Sequence, residues 1–198
     1  EFARLEAVAA AGLGPLPIAV DAAQGLLLRP HVAGRAWQAA DLGQPVNLQR
    51  AAVLLRRVHA AQIDAPPLDL KAAIDRYARL AGHNAAGQAE ACRALLARCQ
   101  DPRAPLAFCH NDPVAGNFVM APGSLWLIDW EYSGFNEFWF DLAVVSGQHE
   151  LPEPRVRGLL EAYLQHPPTA ADCETLARWV VFYRGLVSLW QSALMAQP

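Results

Sequence analysis

Apolar residues recur at spacings of three and four in "NLQRAAVLLRRVHAAQI", residues 47–63. Leu48, Ala51, Ala52, Leu55 and Val58 fall on one stripe that runs on to Gln62, while Arg50, Arg56 and Arg57 lie away from it. A period of 3.6 puts such positions on one face, so the segment predicts an amphipathic helix ended by "DAPP" at Asp64 to Pro67. The same pattern predicts helices from Leu70 to Leu80, from Ala86 to Cys99, and in the opening "EFARLEAVAAA", which Gly12 and Pro15 stop. Short apolar runs between turn residues predict strands: Ile18 to Val20 and Gly25 to Val32 around "DAAQG", then "LAFCH", "NFVM" and "LWLID". The turn "APGS", Ala121 to Ser124, joins the last two as a hairpin. After Asp141 the pattern is helical to the end, broken by "ELPEP" and "HPPT". Helices outweigh two small groups of strands, which is an α+β chain.

Composition narrows the classes of function. At 198 residues, 54% hydrophobic and 18% charged, the chain can bury a sizeable core. A net charge of -3 without any Lys/Arg-rich run supplies no basic footprint, which excludes a nucleic-acid partner. The most apolar run, Leu176 to Ala196, contains Arg178, Arg184 and Gln191 and reads as a buried helix, not a membrane span. The four cysteines show no Cys-x-x-Cys pairing. Cys92 and Cys99 can share a helix face, as a metal or disulfide pair or as two inert core thiols, and the inert reading is preferred with a reducing cytoplasm. Lys71 is the only lysine beside fifteen arginines, and the chain begins at Glu1 without a Met, so it reads as part of a longer protein.

The chemistry concentrates in "CHNDPVAGNF", Cys109 to Phe118. By themselves His110, Asp112 and Asn117 are also compatible with a polar turn. Asp129 changes that, because the hairpin between them returns the chain so that Asp129, at the end of "LWLID", lies near Asn117. His-x-Asp-x-x-x-x-Asn, a hairpin and a terminal Asp form the layout of a protein-kinase catalytic loop and its metal ligand. Phosphoryl transfer needs a carboxylate to orient and deprotonate the acceptor hydroxyl, a role for Asp112. It also needs oxygen ligands to hold Mg²⁺ on the nucleotide phosphates, a role for Asn117 and Asp129. His110 either touches substrate or supports the loop by packing and hydrogen bonding, and the second is preferred.

"HNDPVAGN" at 110–117, "LIDWEYSGFN" at 127–136 and "FDLA" at 140–143 resemble the aminoglycoside phosphotransferase and choline/ethanolamine kinase superfamily. "GLLLRPHVAGRAW" looks like that family's last N-lobe strand and hinge, and "LLRRVH" like its first large C-lobe helix. The resemblance implies a protein-kinase-like fold. Residues 1–33 would be the end of a β-rich N-lobe and the hinge, without the Gly-rich loop and Lys strand, and residues 34–198 a helical C-lobe. It implies an ATP- and Mg²⁺-dependent kinase of a small hydroxyl compound. Glu1 falls where the family's phosphate-binding Lys finds its partner, or is a solvated first-turn Glu; Pro30 and Val32 would lie nearest the adenine. Asp141 would brace the catalytic loop from the start of its helix, which is compatible with a helix cap.

"IDWEYSGFN" is closest to the choline kinases, and it favours choline or a related amino alcohol over an aminoglycoside, sugar or thiamine. Trp179, Tyr183 and Trp190 share a stripe at spacings of four and seven, and aromatic faces attract quaternary ammonium. Glu131 or Glu150 would supply a counter-charge. An aromatic stripe at helical spacing is also, and more often, core packing. A kinase fold degenerated into a binding module is the alternative of another class, and the intact Asp112, Asn117 and Asp129 argue against it.

Overall fold

The computed structural model describes residues 2–21 and 23–196. In chain order it forms α1 (Phe2–Ala10), β1 (Ala19–Asp21), β2 (Leu26–Leu28), β3 (Arg35–Ala36), α2 (Ala39–Leu42), α3 (Pro45–His59), α4 (Leu70–Ala81) and α5 (Ala86–Cys99). There follow β4 (Ala107–Cys109), β5 (Phe118–Ala121), β6 (Ser124–Leu127), β7 (Gly134–Asn136), α6 (Trp139–Gln148), α7 (Glu153–Leu164) and α8 (Ala170–Met195).

Leu48, Ala51, Ala52, Leu55 and Val58 of α3 are all buried, as their spacing requires. The helix nevertheless stops at His59, before "DAPP", and Gln62 lies beyond it and exposed. The chain is extended from there, because Pro67 bridges to Phe135 and the Leu68 amide donates to the Phe135 carbonyl at 2.9 Å. Tertiary pairing therefore takes these residues away from the helix.

Two helices organise the core. From Phe140 to Gly147, α6 is buried on every side, the mark of a central helix. The 26-residue α8 packs along it and carries α4 and α5 on its flank, while α7 packs on α3. A capping box starts α8: Thr169 Oγ1 accepts the Asp172 amide at 3.2 Å, and Asp172 Oδ2 accepts the Thr169 amide at 2.8 Å. None of the described helices is long and apolar enough to cross a membrane.

Among the described residues the strands make three small antiparallel sheets, β1-β2, β3-β5-β6 and β4-β7. In β1-β2 the strand expected from Gly25 to Val32 is only Leu26–Leu28, and Ile18, Val20, Leu26, Leu27 and Leu28 are exposed. The hairpin β5-β6 pairs Phe118 with Leu127 and is flanked by β3. Three residues long, β7 shows no alternation of its own and exists by pairing with β4, Cys109 opposite Gly134.

Gly134 sits against backbone: a Cβ there would lie 2.4 Å from the Pro66 carbonyl oxygen. Gly134→Ala must separate β7 from residues 66–68, and a destabilisation of about 1–3 kcal/mol is expected from urea unfolding. An unchanged midpoint would show that the 66–68 segment gives way freely.

Candidate active site

The loop after β4 is built around one buried carboxylate. Asp141, the third residue of α6, has no exposed surface. Its Oδ2 accepts the His110 amide at 2.9 Å and its Oδ1 the Asn111 amide at 2.7 Å. His59 Nε2, from the end of α3, reaches Oδ2 at 3.0 Å. A buried carboxylate is tolerated only when its oxygens are filled by donors, and here two of them are the backbone of the loop itself. Asp141 thus lies inside the first turn of α6, not at its cap; Phe138 is the cap residue.

Asn111 stands at φ 66°, a left-handed conformation that Asn tolerates better than most side chains. Its Nδ2 donates to the carbonyls of Tyr132 at 3.0 Å and Gly134 at 3.2 Å, and its Oδ1 accepts Asn136 Nδ2 at 2.9 Å. The turn throws the next residue, Asp112, out of the strand direction toward the hairpin.

His110 is fully buried. Its Nε2 lies 3.0 Å from the Ile128 carbonyl, so that nitrogen carries the proton, and its Nδ1 accepts the Asp112 amide at 3.3 Å. The ring leans on Trp130, centroids 4.6 Å apart, and Trp130 stacks in turn on Phe108. These contacts make His110 a strut between the two halves of the loop. Burial holds its pKa below 6.5 and keeps it neutral.

Across the hairpin the Ile128 amide donates to the Asn117 carbonyl at 3.0 Å, which brings Asp129 opposite Asn117. Asp129 is exposed at φ 67°. Asn117 Nδ2 donates to the Asp112 carbonyl at 2.8 Å and to Asp112 Oδ2 at 3.1 Å. With the amide nitrogen so engaged, Asn117 Oδ1 is left as an oxygen donor. Asn117 Oδ1 and the Asp129 carboxylate, on facing sides of the hairpin, are both oxygen donors of the kind a hard divalent cation such as Mg²⁺ takes. Burial first, then the negative charges of Asp129, Asp141 and Glu131, push Asp112 up to about 7 against the opposing Asn117 hydrogen bond. Pro113 removes one loop amide without opening the turn, since the Val114 amide donates to the Asp112 carbonyl at 2.8 Å.

The aromatic stripe of α8 divides between core and site. Trp179 is fully buried against Phe140 and Phe182, with centroids 5.9 Å away in both cases, and offers no face to a ligand. The expected cage of Trp179, Tyr183 and Trp190 is therefore corrected: eleven residues of helix separate the two tryptophans by about 16 Å, so they share a direction but not a place. Trp190 is exposed. Tyr183 is near Asp112, whose charge adds to burial in raising the phenol pKa, and its hydroxyl donates to Gln148 Oε1 at 2.8 Å. Glu131 is exposed beside Asp112 and Tyr132; Glu150 is exposed at φ 47° after α6.

Sequence reasoning missed Tyr77, Tyr132 and His149. Tyr77 from α4 and Tyr132 after β6 both lie within reach of the Asp112 and Glu131 charges, with Tyr132 pushed up to about 12 chiefly by burial. His149 Nε2 accepts the Ala115 amide at 3.1 Å, tying the loop to the end of α6. Tyr132 stood inside a quoted motif, but no local pattern marks Tyr77 or His149.

Pro30 and Val32 line a cavity of about 340 Å³ with Leu16, His31, Pro122 and Trp126. Glu1 lies outside the described residues. A larger groove of about 490 Å³, beside Asp75, Arg79, His83 and Arg93, includes none of the loop residues and is crossed by the Arg93–Asp75 ion pair at 2.7 Å. All four cysteines are free, and burial pushes the Cys99 thiol up to about 11, as inert core thiols require.

The sequence pattern of the phosphotransferase enzyme family matches residues 1–173. The chain belongs to that family. Protein LicA of Haemophilus influenzae is 42% identical over 55 residues, 28% of this chain and 21% of that protein. The choline/ethanolamine kinase family protein from Mesorhizobium loti superposes with a TM-score of 0.80 at 26% identity, over 98% of this chain and 70% of that one. The choline kinase LicA from Streptococcus pneumoniae does so with a TM-score of 0.80 at 24% identity, over 96% and 70%, and a LicA structure in complex with AMP has the same TM-score. The fold is thus the protein-kinase-like one, and the match spans about a fifth of the curated relative's length.

Because the folded His110 has a pKa below its unfolded value of about 6.5, the unfolded chain binds more protons below that pH, and stability falls as the solution is acidified. His149, also lowered by burial, adds to the same trend. The raised Asp112 carboxyl acts in the opposite direction over the same range but is common to both proteins, so between about pH 7 and pH 5 the melting temperature of the native chain is expected to fall relative to that of His110→Gln. Equal slopes in differential scanning calorimetry would remove His110 as the cause.

Proposed function

We propose that this chain is the larger part of a kinase that moves the γ-phosphoryl group of ATP to the hydroxyl of a small cationic amino alcohol, choline or a relative. The carrying observation is the union of Asp112, Asn117 and Asp129 across one hairpin, with the Asp112 carboxylate held by Asn117 Nδ2 at 3.1 Å. Residues 1–33 are read as the end of a small lobe and a hinge, and the cavity at Pro30 and Val32 as the place of the adenine. Residues 34–198 are read as the lobe that holds acceptor and metal. A reducing cytoplasm suits an enzyme with four unpaired thiols.

Asp112 accepts a hydrogen bond from the acceptor hydroxyl, aims its oxygen, and takes its proton as the phosphoryl group arrives. A carboxyl whose pKa is near 7 is matched to that proton transfer at neutral pH. Asn117 and Asp129 would hold Mg²⁺, which when bound supplies charge neutralisation on the phosphates. His110 and Asn111 keep Asp112 from rotating away, and this positioning is worth more than the proton transfer itself.

The acceptor end favours a cation. Asp112 and Glu131 concentrate negative charge beside the phenols of Tyr77 from α4 and Tyr132 after β6, and Asp112 also acts on that of Tyr183 from α8. Aromatic residues beside negative charge suit a cation. The names of the relatives agree with an amino alcohol. An aminoglycoside, sugar or thiamine is the rival class of acceptor, and a binding module without turnover the rival class of function.

The complete protein, supplied with ATP and Mg²⁺ and followed by ADP release, should turn over choline or ethanolamine in preference to aminoglycosides, sugars and thiamine. Asp112→Asn should lower kcat by about 10²–10⁴-fold. Asn117→Ala and Asp129→Ala should be at least as damaging, partly restored by raised Mg²⁺. Faster turnover of an aminoglycoside would overturn the acceptor, and acceptor binding without ADP release would establish the binding module.

A further inference from the structure

Tyr163, on α7 and outside every motif quoted above, reaches the catalytic loop through three hydrogen bonds in series. Its hydroxyl lies 2.7 Å from His59 Nδ1, and His59 Nε2 lies 3.0 Å from Asp141 Oδ2. That carboxylate in turn holds the amides of His110 and Asn111, the two residues before Asp112. The His59 side chain is 5% exposed and that of Asp141 0%, so neither can replace its partner with bulk water.

The chemistry orders the chain of bonds. A carboxylate only accepts, so His59 Nε2 carries a proton toward it; in the neutral ring Nδ1 is then an acceptor and takes the Tyr163 O–H. Burial raises the Tyr163 pKa and keeps that proton on the phenol. Tyr163 is placed by its stack on Phe138, centroids 5.0 Å apart, and meets the His59 ring edge-on at 5.5 Å. Cys109 Sγ lies within 4.8 Å of the His59 and Asp141 ligand atoms, an arrangement that a metal ion can use. Each of these atoms is already committed, however: Cys109 donates to the Asn136 carbonyl at 3.5 Å, and burial keeps it a thiol. The cluster is a hydrogen-bonded chain and not a metal centre.

We propose that Tyr163 and His59 are positioning residues for Asp112: the Tyr163 hydroxyl holds the His59 ring at Nδ1 in the orientation that aims its Nε2 proton at Asp141, His59 fixes the Asp141 carboxylate, and Asp141 sets the backbone from which Asp112 projects. The kinetic consequence rests on the kinase reading above; the structural consequence does not.

The test uses Tyr163→Phe in the complete protein, which keeps the stack on Phe138 and deletes only the hydroxyl. Loss of one buried hydrogen bond should speed exchange of the His110 and Asn111 amides by about tenfold relative to the Leu55 amide of α3, a core reference. The same variant should lower kcat by about tenfold while KM for ATP and for the acceptor stays within about twofold, since substrate contacts are untouched. His59→Gln, whose amide N–H can still donate to Asp141, should fall closer to the native protein than His59→Ala in both measurements. Exchange at His110 and Asn111 that stays within about twofold of native, or that rises no more than at Leu55, overturns the inference. If the native protein turns over no acceptor, the kinase reading falls, and amide exchange alone decides the role of Tyr163.

Discussion

A charge buried where water cannot reach it is the constraint on which the site depends. Asp141 gives up its hydration to lie in the first turn of the buried helix α6, and three donors replace that water: two loop amides and one imidazole. The exchange works in both directions. The carboxylate is stable because the loop is folded, and the loop keeps its unusual backbone because the carboxylate holds it. Apart from Ser146, the rest of the buried stretch of α6 from Phe140 to Gly147 carries no polar side chain, and its close packing sets the depth from which Asp112 is placed.

Around this anchor the loop is assembled from pieces that no single element could provide. Asn111 and Asp129 both take positive φ, at 66° and 67°, and so turn the chain twice within a short space. The first turn is secured by the Asn111–Asn136 hydrogen bond to β7; the second lies beside the His110–Ile128 contact. His110 therefore couples the Asp112 side of the loop to the Asp129 side, with Trp130 packed against it. A strut of this kind works best uncharged, which burial ensures.

The aromatic residues are divided by depth. Trp179 and Phe182 fill the seam between α6 and α8, whereas Tyr77, Tyr132 and Tyr183 keep their hydroxyls toward the polar end near Asp112. A phenol suits that border, having an apolar body for the core and a hydroxyl for the polar side.

The sequence by itself determined the helices with a continuous apolar stripe, as in α3 and α5, and the hairpin with its "APGS" turn. It also carried the chemistry of His110, Asp112, Asn117 and Asp129, because these lie on one local unit whose pairing returns Asp129 to Asn117. Such features depend on neighbours a few residues away, which periodicity and turn chemistry report. Only the tertiary structure decided the rest. That α3 ends at His59, that β7 exists, that Trp179 is core while Tyr183 lies near Asp112, that Tyr77 lies near Asp112 too, that His149 ties down Ala115 and that Tyr163 meets His59 all follow from contacts between distant segments. A residue's spacing sets the direction in which it points along a helix, but only packing sets what it meets there.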